Sequence, residues 1–400
     1  MKKVLALVMA LAMLLSLVSF ASAEGFSGEV KVWVADATVD FTKEQVEAFK
    51  AAHPEYANMT VVVEPVGEGD AANKMITDVE AGADIFTFAQ DQLVRLVAAG
   101  ALEEVEPGNA EIIAAENDAG SVGAVTLNGT MYAYPITSDN GYFLYYDKSV
   151  VTDPSSVEAI LADCEKAGKN FYFEINSGWY QTAFFFGYGC DISYDVEGSQ
   201  FVAMNCDYAS ENGVKALKAM VDMAKSPAFQ NGSSMSNAIN VAAIVDGVWD
   251  ANPAKEAFGD NYAATKLPTL GGVQLSGFGG FKMLGVKPQT DDDKLAACDA
   301  LAAFLSSEEV QLGRYNAVGW GPSNLAAQKS DAVQADVALS ALGAQLAYSK
   351  PQGNYPNGYW SQATALGDDI LADKLDDADD AALLAVLQQF TDTCAGYLDK

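Results

Sequence analysis

EVKVWVADATVDFTKEQVEAFKAAHPEYANMTVVVEPVGEGDAANKMITDVEAGADIFTFA, residues 29–89, carries the pattern from which the architecture is read. Glu29 to Ala35 and Thr60 to Val66 are rich in β-branched residues, the composition of buried strands. Between them, Phe41 to Ala52 spaces its apolar residues at helical intervals. A second helix is expected from Ala71 to Ala81, stopped at Gly82, and Asp84 to Ala89 reads as a third strand. Strand, helix, strand, helix, strand points to a parallel sheet covered by helices on both faces. Ligands of such sheets bind beyond the carboxyl ends of the strands, where Asp36, Phe88 and Asp91 would lie.

Downstream, Leu127-Asn128-Gly129-Thr130 is a hairpin signal, because Asn-Gly tolerates the positive φ angles of a type I′ turn. A second α/β series then begins. It reads as strand Tyr142 to Asp147, helix Ser155 to Ala167, strand Phe171 to Ile175, helix Tyr180 to Phe186, a hairpin, and helix Glu211 to Lys225. Strands near Val241 to Val245 and Tyr262 to Lys266 bracket a helix starting around Trp249. After the glycine-rich stretch Gly271 to Gly280 come a strand, Phe281 to Val286, and a run of helices to the end. At 400 residues, two domains with two cores are expected.

Composition excludes whole classes of function. Lys plus Arg number 23 against 54 Asp plus Glu, a formal charge of −31, so nucleic acid is not an expected partner. Half the residues are nevertheless hydrophobic, too many for a disordered acidic chain. The lone histidine, His53, precedes Pro54 at a helix end and is read as structural, which argues against His-based catalysis and multi-histidine metal sites. The acid clusters Asp291-Asp292-Asp293 and Asp376 to Asp380 lack the spacing of a calcium loop and read as solvated helix starts or turns. No metal, cofactor or catalytic residue is expected. Cys190 and Cys206 flank the hairpin Ile192 to Val196 and Gln200 to Met204; with Glu197-Gly198-Ser199 as its loop they face each other, either bridged or as two small buried side chains.

Residues 1–23 combine a basic start, an apolar stretch from Val4 to Leu15 and the ending Ala21-Ser22-Ala23, which together read as a secretory signal peptide. No cysteine stands at the cleavage point, so a periplasmic or extracellular protein without a lipobox anchor is expected. Stable membrane insertion is not, because no later stretch is long and apolar enough.

The order of landmarks resembles the extracellular solute-binding proteins of family 1, typified by the maltose and maltodextrin receptors of ABC importers. The matching pieces are VKVWVA, GADIFTFAQDQLVRLVAAGALEEVEP and LNGTMYAYPITSDNGYFLYYDKSVV, then NVAAIVDGVWDANPAK, NYAATKLPTLGG, ALAAFLSSEEVQLGRYNAVGWGPSN and the pair Tyr359-Trp360. The resemblance implies a type II periplasmic binding fold: two α/β lobes joined by three crossovers near Thr137 to Gly141, Phe278 to Met283 and Pro322 to Ser330. Lobe one would be 24–138 plus 281–325, and lobe two 139–280 plus 326–400. It further implies a monomeric receptor that captures a sugar or oligosaccharide and delivers it to a membrane permease.

A sugar presents a C–H face that stacks on aromatic rings and a rim of hydroxyls that bond carboxylates. The resemblance places a stacking tryptophan at Trp249, another aromatic contact at Trp360, a contact region at Trp179 and Tyr180, and acidic contacts at Asp91 and Asp139. Asp36 lies near a further polar contact, and Phe88 aligns with an aromatic or is simply buried. Asp91 also stands where it would cap the helix beginning QDQLVRL. Trp33, inside an alternating strand, is read as core. The maltodextrin pattern has basic residues where this chain has Thr38, Gln92 and Thr364. That departure leaves a neutral oligosaccharide or a cationic ligand such as a polyamine as the alternatives. The rival class is a secreted glycoside hydrolase with Asp91 and Asp139 as its carboxylate pair.

Overall fold

The structure, a computed structural model, describes residues 25–399; the expected signal peptide lies outside the described residues. Ten strands make up two large sheets: β1 (Glu29–Val34), β2 (Thr60–Pro65), β3 (Ile85–Ala89), β4 (Tyr134–Thr137), β5 (Phe143–Asp147), β6 (Asn170–Tyr172), β7 (Phe229–Gln230), β8 (Val241–Asp246), β9 (Tyr262–Thr265) and β10 (Lys282–Val286). The first sheet has the order β2-β1-β3-β10-β4 and the second β7-β6-β8-β5-β9. Three parallel strands open each sheet, and an antiparallel fourth strand comes next to them. The all-parallel expectation is therefore corrected. Apolar patterning reports which face a residue takes but not which way a strand runs, and each antiparallel strand enters from a distant part of the chain.

Alternation along the strands builds a core on both faces of each sheet. In the first, Val30, Val32, Val34 and Ile85 pack against helices Val39–Ala52 and Asp292–Leu305. Trp33, Phe86, Phe88 and Met283 face the other way, against helix Glu68–Thr77. In the second, Leu144, Phe171 and Val245 join helices Val157–Ala167 and Gly178–Gly187. Phe143, Tyr145 and Ile244 face helices Ala251–Phe258 and Val337–Leu346. At about 25 cal/mol per Å² of apolar surface removed from water, these four layers supply the main folding force.

Local chemistry sets the boundaries. Asn128 and Gly129, at φ 52° and 86°, turn the hairpin between Thr126–Leu127 and Thr130–Met131. Asp291 and Asp379 accept backbone N–H groups at the starts of helices Asp292–Leu305 and Asp380–Ala395, which gives the two acid clusters capping roles. His53 ends helix Val39–Ala52 with its ring 4.6 Å from that of Phe49.

All five cysteines are free. The hairpin Ile192–Glu197/Gln200–Cys206 closes with Glu197 opposite Gln200, a two-residue loop, and a bulge shifts the register between Phe201 and Ala203. Cys206 consequently faces Ile192 rather than Cys190. The expected juxtaposition assumed one more residue in the loop, and a small slip in register separates the pair.

The chain leaves the first sheet after Thr137, enters the second at Phe143, and returns between Thr265 and Lys282. It passes across a third time between helices Glu308–Val318 and Val337–Leu346. The crossovers pack tightly. Gly277 has φ +154°, and a Cβ there would stand 2.7 Å from the Tyr142 ring, so both conformation and space require glycine.

Candidate functional site

Where the carboxyl ends of β3 and β8 face each other across the crossovers, a cleft of about 620 Å³ opens. Four of the five tryptophans line it: Trp179, Trp249, Trp320 and Trp360. The fifth, Trp33, is core, its indole N–H donating to Glu64 at 2.8 Å.

Each ring is held by a short element. β8 ends at Asp246, and Gly247 leads into a 3-10 turn, Val248–Asp250, that lifts Trp249 into the cleft. Trp179 and Tyr180 occupy the first turn of helix Gly178–Gly187, and Trp360 that of helix Asn357–Leu371. Ring centroids of Trp179 and Trp249 are 5.8 Å apart. The Trp179 indole N–H donates to Gln352 Oε1 at 3.1 Å, whereas that of Trp360 is buried without an acceptor among the described residues. Tyr180 offers the cleft its ring, because its hydroxyl donates to the buried Asp246 carboxylate at 2.9 Å.

Asp91 lines the cleft floor and is 3% exposed. It accepts from Gln92 Nε2, while Arg95 donates to Gln92 Oε1 at 2.5 Å and to Asn73 at 2.9 Å. Burial pushes the Asp91 carboxyl up to about 7, with the Gln92 bond and the Arg95 charge opposing. The helix Leu93–Ala98 takes no side-chain cap, so the capping role is not realised.

Three expected contacts lie elsewhere. Phe88 is fully buried beside Phe86 in the first lobe's core, since its parity in β3 turns it into the sheet face. Asp36 is exposed in a 3-10 turn whose neighbours Ala35 and Ala37 line the cleft instead. Asp139 is 1% exposed beneath the floor, where it accepts from the Gly321 backbone N–H and so ties the first crossover to the third. Burial holds its carboxyl above the usual range, tempered by the charge of Lys282. Asp91 and Asp139 therefore do not flank one open site, as a hydrolytic pair would.

Sequence reasoning missed several lining residues: Lys282, Trp320, Gln352, Asn140 and Glu68. Lys282 begins β10, opposite Ala89 and Thr137 at the cleft end of the first sheet, and is 5% exposed. Its signal was available, as a lone charge in the apolar run GGFKMLGV is unusual. Trp320 comes directly after the left-handed Gly319 at the end of helix Glu308–Val318, inside the quoted crossover stretch GWGPSN. Gln352 and Asn140 carried no local signal; they meet only because Asn140 Nδ2 reaches Gln352 Oε1 at 3.4 Å across the crossovers. Aromatic walls with carboxylate and amide groups at the rim form a surface for the C–H faces and hydroxyls of a polar, ring-shaped ligand.

Residues 44–341 match the family model described as bacterial extracellular solute-binding protein. The chain is 26% identical, over 343 residues, to the maltooligosaccharide ABC transporter solute-binding lipoprotein of Streptococcus pneumoniae, a match that covers 78% of this chain and 77% of the relative. A structure solved with acarbose superposes at a TM-score of 0.81 and 27% identity, covering 92% of this chain and 98% of its own. The maltodextrin-binding protein MalE1 of L. casei BL23 shares the fold at a TM-score of 0.75 and 24% identity, with 92% and 99% covered.

Proposed function

The chain belongs to the bacterial extracellular solute-binding proteins, and from that premise we propose that it captures a carbohydrate, an oligosaccharide rather than a single sugar, and hands it to the permease of an ABC importer. The convergence of Trp179, Trp249, Trp320 and Trp360 on one cleft carries this reading. Trp179, Trp249 and Trp360, each partly exposed, provide stacking area for more than one sugar ring, while Trp320 is buried behind them, and Asp91, Glu68, Gln92, Gln352 and Asn140 supply partners for hydroxyls. The names of the pneumococcal relative, a maltooligosaccharide receptor, and of the acarbose-bound structure support the class of ligand.

The activity is binding without bond cleavage. The lobes, divided at the three crossovers as 24–138 plus 281–325 and 139–280 plus 326–400, close on the ligand, and the closed form is what the permease recognises. The exported chain acts as a monomer. Within the cleft, Trp249, Trp360, Trp179 and Tyr180 stack and Asp91 accepts hydrogen bonds from hydroxyls.

A thermal-shift panel of maltooligosaccharides, other glycans, monosaccharides and polyamines tests the proposal. A glycan at about 100 times its dissociation constant adds about 2.7 kcal/mol of stability and raises the melting temperature by a few degrees. A panel in which no carbohydrate shifts the melting temperature rejects it.

A further inference from the structure

Lys282 is the cleft residue whose chemistry the carbohydrate reading leaves unused. Its Nζ stands 3.8 Å from the ring centroid of Trp320 and 4.7 Å from that of Trp249. Among the described residues no carboxylate oxygen lies within 4 Å of it, and no hydrogen bond engages it. Two indole faces set around an ammonium are the way proteins bind alkylammonium ligands. Here the cage is already filled, by a side chain anchored on β10. Asp139, beneath the floor on the first crossover, balances this charge together with that of Arg314, which is itself 5% exposed.

We propose that Lys282 is a specificity-determining residue, an internal cation that occupies the Trp249–Trp320 cage and so excludes polyamines and quaternary amines while leaving the cleft open to neutral glycans. The inference rests on the carbohydrate reading of the cleft. A second positive charge entering the cage would meet both the steric bulk of the lysine tip and like-charge repulsion in a poorly hydrated site. The acidic composition of the chain, which by itself favours cationic ligands, is thus countered where two indole faces would hold them. A neutral sugar suffers no such repulsion.

Titration calorimetry of the full chain and of Lys282→Met, each against choline, putrescine, spermidine and maltotriose, tests this. Methionine keeps an unbranched stem and removes the charge. The parent is expected to give no heat with the three amines, and the variant to bind choline or putrescine at least about tenfold more tightly than the parent does. Lys282→Gln, with circular dichroism as the fold check, serves if methionine destabilises the chain; Lys282→Arg, which retains the cation, should keep the exclusion. Amine binding by the parent, or a folded Lys282→Met or Lys282→Gln variant that gains none, overturns the proposal. Should the parent bind no glycan while Lys282→Met gains amine binding, the carbohydrate reading falls and the plug stands. Should glycans bind and the neutral variants gain nothing, the plug alone falls.

Discussion

Trp249 stands between Trp179 and Lys282 at the end of β8, so its ring is anchored by packing before any ligand arrives. Preorganised aromatic anchors dominate binding energy. Trp249→Ala should weaken affinity for the best glycan by about 2 kcal/mol, roughly thirtyfold, in calorimetry with the fold intact; unchanged affinity would remove Trp249 from the site. Asp91 makes a different kind of prediction. Its carboxyl is pushed up to about 7 in the folded chain against 3.8 for the ordinary group. A raised acid stabilises the fold below its unfolded value and loses that contribution as pH climbs through the folded one. Between pH 4 and pH 8 the parent therefore takes on the cost of a buried anion, and Asp91→Asn does not. The melting temperature of Asp91→Asn minus that of the parent should rise by several degrees over this window, and a flat difference would show that Asp91 titrates normally.

Among the elements, the short turns at the carboxyl ends of the strands make the site. Gly247 leaves β8 with an ordinary φ of −95°, so its backbone tolerates any residue, but an added Cβ would stand 2.1 Å from the Trp249 ring edge. That ring is only partly exposed and packs against Trp179 and Lys282, so making room for the Cβ means drawing it off both neighbours. Gly247→Ala should then lose glycan affinity about as strongly as Trp249→Ala. A variant binding normally would mean that the turn does not position the ring. The hairpin at Ile192–Cys206 shows the opposite case, where a loop one residue shorter and a bulge between Phe201 and Ala203 each shifted the register by one, placing Cys206 opposite Ile192 and removing a disulfide that spacing had allowed.

The whole molecule joins two similarly wired sheets through three crossovers, with Asn140, Lys282 and Trp320 brought from all three into one cleft. Such an arrangement lets a ligand that touches both lobes favour the closed form. The radius of gyration from small-angle scattering should fall when the protein is saturated with a bound glycan, and an unchanged value would argue against closure as the signal to the permease.

How much of this was legible depended on range in the chain. Alternation in VKVWVA and DIFTFA, the Asn128-Gly129 turn, the capping aspartates and the tryptophan after β8 are encoded within a few residues, because faces, turns and helix ends are set by local periodicity and hydrogen bonding. With the ordered landmarks, that local information specified the two α/β lobes and the kind of cleft between them. Long-range packing alone made β10 and β5 run antiparallel, sank Asp139 below the floor while Asp91 stayed in it, and brought Lys282 to Trp249 and Trp320. Those outcomes join residues tens to hundreds of positions apart. Nothing in a short window fixes such a meeting, because it is set by how two cores, each satisfied by many sequences, pack against the same three crossovers.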